Sequence, residues 1–175
     1  MTDSLEVGDV LDAATLERIR VDMVAARGAP AALLGSGPSS ARKATRVAVS
    51  DAARVPVVEL LVRLEPRIEA HFGRSLDGFE EPQFLRYGTG DYFVAHQDGN
   101  TPLIHDESRL RKVSVVIFLS APGTFGGGSL VLHAESPVTL VPRPGTLVAF
   151  PSETTHEVLP ITYGERLSIV SWYRG

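Results

Sequence analysis

From residue 82 onward the chain breaks into short β-rich segments separated by Gly, Pro and Asp, and two of these, 113–119 (VSVVIFL) and 167–173 (LSIVSWY), are apolar on both faces apart from their serines. An antiparallel strand with one wet face alternates apolar and polar side chains, so strands of this kind must be covered on both sides: a β layer on one, helices on the other. The helices are available upstream. Asp12 is suited to cap a first amphipathic helix in which Leu16, Ile19, Met23 and Val24 recur at helical spacing before Gly28. A second starts near Asp51 and takes Pro56 in its first turn. It carries Leu60, Leu61, Leu64, Ile68 and Phe72, kinks at Pro66 and stops at Gly73. Between them, residues 28–41 are rich in Gly, Pro, Ser and Ala and read as a loop leading to a short extended piece at 45–49. Strands are expected at 83–87, 92–96, 113–119, 129–133, 138–141, 146–150 and 166–173. The fold class is α+β and mainly β: a β-sandwich or jelly roll with N-terminal helices packed on one sheet.

A chain of 175 residues is the size of one ordinary domain and buries about 70% of its unfolded surface. The expected organisation is a single domain, 1–175, with 1–80 as helical support and 81–175 as the β core. There is no cysteine, which removes disulfides, thiolate metal sites and cysteine nucleophiles together, so any metal must be held by His, Asp or Glu. A net charge of −4 offers no global basic field, and no nucleic-acid partner is expected. The clusters Arg42-Lys43-Arg46 and Arg109-Arg111-Lys112 read as solvated faces, the second within reach of a substrate. No apolar run approaches the roughly 20 residues of a membrane helix. The first thirty residues carry Asp3, Glu6, Asp9 and Asp12 and lack the pattern of a signal peptide, so a cytoplasmic location is expected.

Against that background one stretch stands out, residues 87–98, YGTGDYFVAHQD. His96 and Asp98 lie two apart on an extended segment, so their side chains leave the same side of the backbone. With His156, sixty residues on, they make two imidazoles and one carboxylate, the ligand set of non-haem iron(II) oxygenases. Ten residues later stands Arg166. On that last strand Arg166, Ser168, Val170 and Trp172 share one face and Leu167, Ile169 and Tyr173 the other, so with both faces covered the guanidinium is inside. A buried guanidinium needs an anion, and its planar fork suits a carboxylate.

The order Tyr87-x-x-Gly90-x-x-Phe93-x-x-His96-x-Asp98, Gly127-Gly128-x-Leu130, Pro151, His156, Arg166 and Ser171-Trp172-Tyr173 resembles the prolyl 4-hydroxylase group of 2-oxoglutarate and iron(II)-dependent dioxygenases, over roughly residues 42–173. The resemblance implies a double-stranded β-helix (jelly-roll) core. It implies His96, Asp98 and His156 as iron ligands, Arg166 as partner of the distal carboxylate of 2-oxoglutarate, Tyr87 and Ser114 lining the cosubstrate pocket, and Trp172 on the interior wall. The implied cofactors are Fe(II), 2-oxoglutarate and O2, with ascorbate as a further candidate. The implied reaction is hydroxylation of an unactivated C–H bond, of a prolyl residue in a protein or peptide, or alternatively of a free amino acid or other small molecule. Some positions depart from relatives: Phe118 stands where some have Tyr, Ser129 where Glu is common, and Arg166 where many prolyl hydroxylases have Lys. Asp98 sets the chain apart from iron halogenases of this fold, which lack the carboxylate.

Two other classes share parts of this pattern. A cupin-like metal barrel that does not use 2-oxoglutarate has no need of Arg166, and a non-catalytic binding barrel predicts neither iron nor cosubstrate. Residues 99–111, GNTPLIHDESRLR, follow the metal pair without a sustained strand or helix pattern and read as a substrate-facing lid, opposite the 31–42 segment. His105 and His133 are within reach of a substrate. His71, at the end of the second helix, reads as structural. Oligomeric state has no signature here.

Overall fold

The structure is a computed structural model that describes residues 3–31, 40–141 and 143–175. Two helices, α1 (Ala13–Ala25) and α2 (Asp51–Phe72), precede most of the strands. The strands are β1 (Leu5–Val7), β2 (Gly28–Pro30), β3 (Arg42–Lys43), β4 (Thr45–Val47), β5 (Gln83–Tyr87), β6 (Tyr92–His96), β7 (Arg111–Phe118), β8 (Phe125–Gly127), β9 (Leu130–Leu132), β10 (Val138–Leu140), β11 (Leu147–Pro151), β12 (His156–Val158), β13 (Ile161–Gly164) and β14 (Arg166–Arg174). One sheet runs β1-β11-β7-β14-β5-β4-β2, a second β10-β9-β12-β6-β3, and β13 pairs with β8 in a small third ladder. Every named pairing is antiparallel.

Alternation along β7 and β14 divides the interior into two cores. Val113, Val115 and Ile117 of β7 with Leu167, Ile169 and Tyr173 of β14 pack against Leu16, Ile19 and Met23 of α1 and Val57, Leu60, Leu61, Leu64 and Ile68 of α2. The opposite face of the same sheet, through Leu85, Tyr87, Val116, Phe118, Val148 and Phe150, meets Phe93, Leu130, Leu132, Leu140 and Val158 of the second sheet. The helices therefore cover one sheet of a jelly roll, as the doubly apolar strands require. Fully burying each such side chain is worth about 1.5–3 kcal/mol before the cost of ordering it.

Several local expectations are corrected. α1 ends at Ala25 with Ala26 as its cap, and Gly28 instead opens β2, while Val24 is 58% exposed and outside the core. Pro56 sits a turn deeper in α2 than its first turn, and the helix continues through both prolines to Gly73, whose φ of 60° closes it. Short strands β1, β8, β12 and β13 lie where no strand was expected, because three or four residues carry too little periodicity to read. The 28–41 loop falls partly on 32–39, which lie outside the described residues; of its described part, 28–30 is strand. No helix among the described residues is long and apolar enough to cross a membrane.

Candidate active site

Register brings the metal candidates together. β12 pairs with β6 so that His156 is directly opposite His96, and opposed residues in an antiparallel pair present their side chains to the same face. The two ring centroids are 4.2 Å apart. Just beyond β6 the chain is tied to the turn before β12: the Asp98 and Gly99 amides both donate to the Ser152 carbonyl, at 2.9 and 3.1 Å. Gly99 has to be glycine, since a Cβ there would lie 2.3 Å from the Ser108 carbonyl oxygen. Asp98 Oδ1 is then 3.3 Å from His96 Nε2, and Oδ2 is 3.4 Å from His156 Nε2.

Both imidazoles are fixed in the same way. His96 Nδ1 lies 2.8 Å from the Val94 carbonyl and His156 Nδ1 2.8 Å from the Thr154 carbonyl, each two residues upstream. A carbonyl only accepts, so each Nδ1 carries a proton, and Nε2, on the side of Asp98, is the ring atom left to offer a lone pair to a metal. The His96 ring is stacked on Phe93 at 3.5 Å, and its Nε2 is buried with no hydrogen-bond partner among the described residues. One ligand atom from each of the three residues lies within 4.8 Å of the others. Burial by itself would raise the Asp98 carboxyl, but His156 and His96 hold it well below the usual carboxylate range. Burial likewise opposes protonation of His156, and the Asp98 charge beside it raises its affinity for a proton. A divalent cation between the three would take over both roles, so orphaned Nε2 and donor set fit a hard-to-borderline metal.

The site opens into a cavity of about 650 Å³ between the two sheets. Arg166 is fully buried on its wall, with Nη1 donating to Ser168 Oγ at 3.0 Å and Nε unpartnered among the described residues. Its neighbours are the Tyr87 ring at 5.2 Å and the Phe118 ring at 5.5 Å. Burial pushes its pKa down, against the influence of Tyr87. A cation so placed, without a carboxylate among the described residues, is ready for an anion from the cavity. The paired glycines make room for it. Gly127 and Gly128 have φ of +70° and +65°, and a Cβ on Gly128 would lie 2.9 Å from Arg166 Cδ.

Tyr87, Ser114 and Trp172 all line this cavity. The Ser114 hydroxyl donates to Asp98 Oδ2 at 2.8 Å. Two arginines read as parts of solvated faces are in fact buried. Arg111, 6% exposed, forks onto Glu80 with two contacts of 2.7 Å and lies 3.7 Å over the Trp172 ring. Arg42, 8% exposed, lies 4.9 Å over the Phe93 ring with Nε unpartnered among the described residues. Alternation held a clue to the second, since Arg42 and buried Ala44 share a face while Lys43 points out. Glu80 and Ser152 carried no signal. Leu103, Ile104, His105 and Asp106 of the 99–111 segment border the cavity, and the segment contains a 3₁₀ turn, Glu107–Leu110, capped by Asp106. His133 instead pairs with Glu157 at 2.9 Å, and His71 with Asp3 at 3.2 Å.

Behind the metal candidates, Glu153 accepts from Arg74 Nη1 at 2.9 Å and from Asn100 at 3.1 Å, and the Gln97 side chain donates to the Glu153 carbonyl at 2.6 Å. Burial would raise the Glu153 pKa, but Arg74, the residue's own backbone amide and Asn100 lower it below its ordinary value. A depressed folded value means the stabilisation is present above the unfolded pKa near 4.5 and lost as pH falls through the folded one. Glu153→Gln should therefore lower the urea midpoint at pH 7, with the difference from wild type shrinking toward pH 3. A constant difference across that range would remove the charge from the explanation.

A model of the 2OG-Fe(II) oxygenase superfamily matches residues 82–174, the segment that supplies every residue of the triad and Arg166. The chain belongs to this superfamily. Its members are defined by Fe(II) and 2-oxoglutarate, used together with O2. Among similar oxygenases, a PKHD-type hydroxylase of Burkholderia ambifaria is 38% identical over 93 residues, covering 52% of this chain and 41% of that protein. Another, of Xanthomonas euvesicatoria, is 30% identical over 180 residues, covering 96% and 77%. The chain thus matches about two fifths of the length of the first of these. The fold is that of a Pseudomonas putida prolyl-4-hydroxylase (TM-score 0.77, 23% identity, 99% of this chain and 93% of the other). It is also that of a Trichoplax adhaerens prolyl hydroxylase solved with a hypoxia inducible factor peptide fragment (0.83, 18%, 99% and 84%).

Proposed function

We propose that this oxygenase hydroxylates a prolyl residue in a protein or peptide, with His96, Asp98 and His156 holding Fe(II) and Arg166 receiving the distal carboxylate of 2-oxoglutarate. The observation that carries the reading is the joint geometry. Two imidazoles with Nδ1 pinned by carbonyls and one carboxylate converge in a cavity where the buried Arg166 has no carboxylate partner among the described residues. With iron bound, the group would supply oxidative chemistry in which O2 and 2-oxoglutarate become succinate and CO2 while one oxygen atom enters the substrate C–H bond. The chain's own part is to hold three ligand atoms, anchor the cosubstrate, exclude water and place that bond; no side chain has to move a proton. Tyr87 and Trp172 would line the cosubstrate and substrate walls. In this reading residues 1–175 act as one dioxygenase domain in the cytoplasm, 1–80 supporting the 81–175 jelly roll, and ascorbate would serve only to restore reduced iron.

A peptide is favoured over a free amino acid by the hydroxylase likenesses and by a cavity of about 650 Å³ bordered by the 99–111 segment. Arg42 fits this as well: a buried cation over Phe93, its Nε unpartnered among the described residues, would offer a hydrogen bond to a carbonyl or carboxylate oxygen of the substrate. The test starts with chelator-stripped protein titrated anaerobically with Fe(II) and then 2-oxoglutarate, reading the visible metal-to-ligand charge-transfer band. Proline-containing peptides and free L-proline follow, assayed for succinate and for a mass gain of one oxygen. A band, with oxygen added to peptide, is expected. No band would end the reading, and oxygen added only to free proline would replace the peptide with a small molecule. Arg42→Ala should raise the substrate KM about ten- to hundredfold, the cost of a hydrogen bond to a charged group, with the 2-oxoglutarate KM much less affected.

A further inference from the structure

The carboxylate between the two imidazoles has a second set of partners, two buried hydroxyls. Ser114 Oγ is 2.8 Å from Asp98 Oδ2, and Ser152 Oγ is 3.0 Å from Ser114 Oγ. Both serines are buried, at 2% and 0% exposure. Proton bookkeeping gives the pair a direction. An ionised carboxylate only accepts, so Ser114 gives its single proton to Oδ2, and Ser114 Oγ in turn accepts the proton of Ser152. The two hydroxyls come from different strands and turns. Ser114 is on β7, facing the inter-sheet core by the same alternation that buries Val116 and Phe118, and Ser152 is in the turn before β12 whose carbonyl receives the Asp98 and Gly99 amides.

We infer that Ser114 and Ser152 are positioning residues for the metal: their hydroxyl relay engages Asp98 Oδ2 and leaves Oδ1, the oxygen beside His96, as the ligand atom. A carboxylate with one oxygen engaged in a charge-assisted hydrogen bond binds a cation through the other, whereas a free carboxylate can rotate or chelate with both. With one carboxylate oxygen so engaged, His96, Asp98 and His156 would offer Fe(II) three donor atoms rather than four, which would leave room for the cosubstrate and O2. This role rests on the proposed iron site and adds a function for Ser114 that differs from contact with 2-oxoglutarate. The relay also couples the two halves of the site: Ser152 serves Asp98 through its side chain and, through its backbone, the loop that carries Asp98.

Ser114→Ala, Ser114→Thr and Ser152→Ala, stripped of metal and titrated anaerobically with Fe(II) alone, provide the test. Loss of an outer hydrogen bond to a ligand costs about ten- to hundredfold in metal affinity. That loss is expected for Ser114→Ala, with a smaller one for Ser152→Ala and recovery in Ser114→Thr, which restores the hydroxyl. With saturating iron, 2-oxoglutarate affinity should stay near wild type in Ser114→Ala while the charge-transfer band shifts, since the ligand field has changed. Unchanged iron affinity in both alanine variants would overturn the inference, as would a loss confined to 2-oxoglutarate affinity. If Ser114→Ala does not fold, Ser152→Ala and Ser114→Thr decide by the same readings. A wild type that binds no Fe(II) would overturn the site itself, an outcome distinct from equal affinity in wild type and variants.

Discussion

Asp98→Ala is expected to abolish turnover and to remove the rise in unfolding temperature that Fe(II) gives the stripped wild-type protein under anaerobic conditions. A cation that binds only the folded state stabilises it by RT ln(1 + [M]/Kd), about 2.7 kcal/mol at a hundredfold excess over Kd, and a variant with two of three ligands should gain little of this. Activity should fall by more than about a hundredfold, beyond the range that removing an outer hydrogen-bond partner costs. The apoprotein should remain folded, because Ser114 and Ser152 can still hydrogen-bond to each other once the carboxylate is gone. His96→Ala and His156→Ala should behave alike, since both Nε2 atoms face the same carboxylate. Undiminished turnover or an undiminished Fe(II) shift in Asp98→Ala would place the metal elsewhere. Stripping first matters because N/O sites of this kind take nickel, cobalt or zinc according to intrinsic affinity rather than use.

Arg166→Ala should weaken 2-oxoglutarate binding by about 2–5 kcal/mol, roughly thirtyfold to several thousandfold, because a desolvated carboxylate would lose its counter-charge. Arg166→Lys should fall between alanine and wild type: the charge is kept, but a point cation cannot reproduce the fork that reaches both a carboxylate and Ser168. Fe(II) affinity should be unchanged in both, as Arg166 contacts none of the three ligand residues in the structure. Calorimetric titration of the iron-loaded proteins with 2-oxoglutarate separates the cases. Equal affinity in wild type and Arg166→Ala would mean that the cosubstrate is anchored by some other cation of the cavity, and Arg42 would be the first to test.

Strictly local features of the site could be read from the chain. Two-residue spacing aimed His96 and Asp98 together, and alternation along 166–173 separated Arg166, Ser168 and Trp172 from the face that Leu167, Ile169 and Tyr173 present to the helices. Doubly apolar strands called for helices on one sheet, and α1 and α2 are there. Other features could not be read this way. Arg111 sits in a basic cluster of ordinary appearance, and only its pairing with Glu80 and packing over Trp172 turn it inward. β12 has three residues, too few for any period, and owes its existence to neighbours on both edges.

Chemistry and sidedness are written along the chain: no thiolates, an ordered His, Asp, His, Arg set, and the faces of the central strands. Those follow from residue identity and from the period of two, both of which are local. Tertiary pairing alone sets His156 opposite His96 and brings Ser114 and Ser152 together at Asp98. Each of these depends on register between segments tens of residues apart. Such register is set by matching whole apolar faces across two sheets, a sum over many side chains that no single stretch of the chain contains.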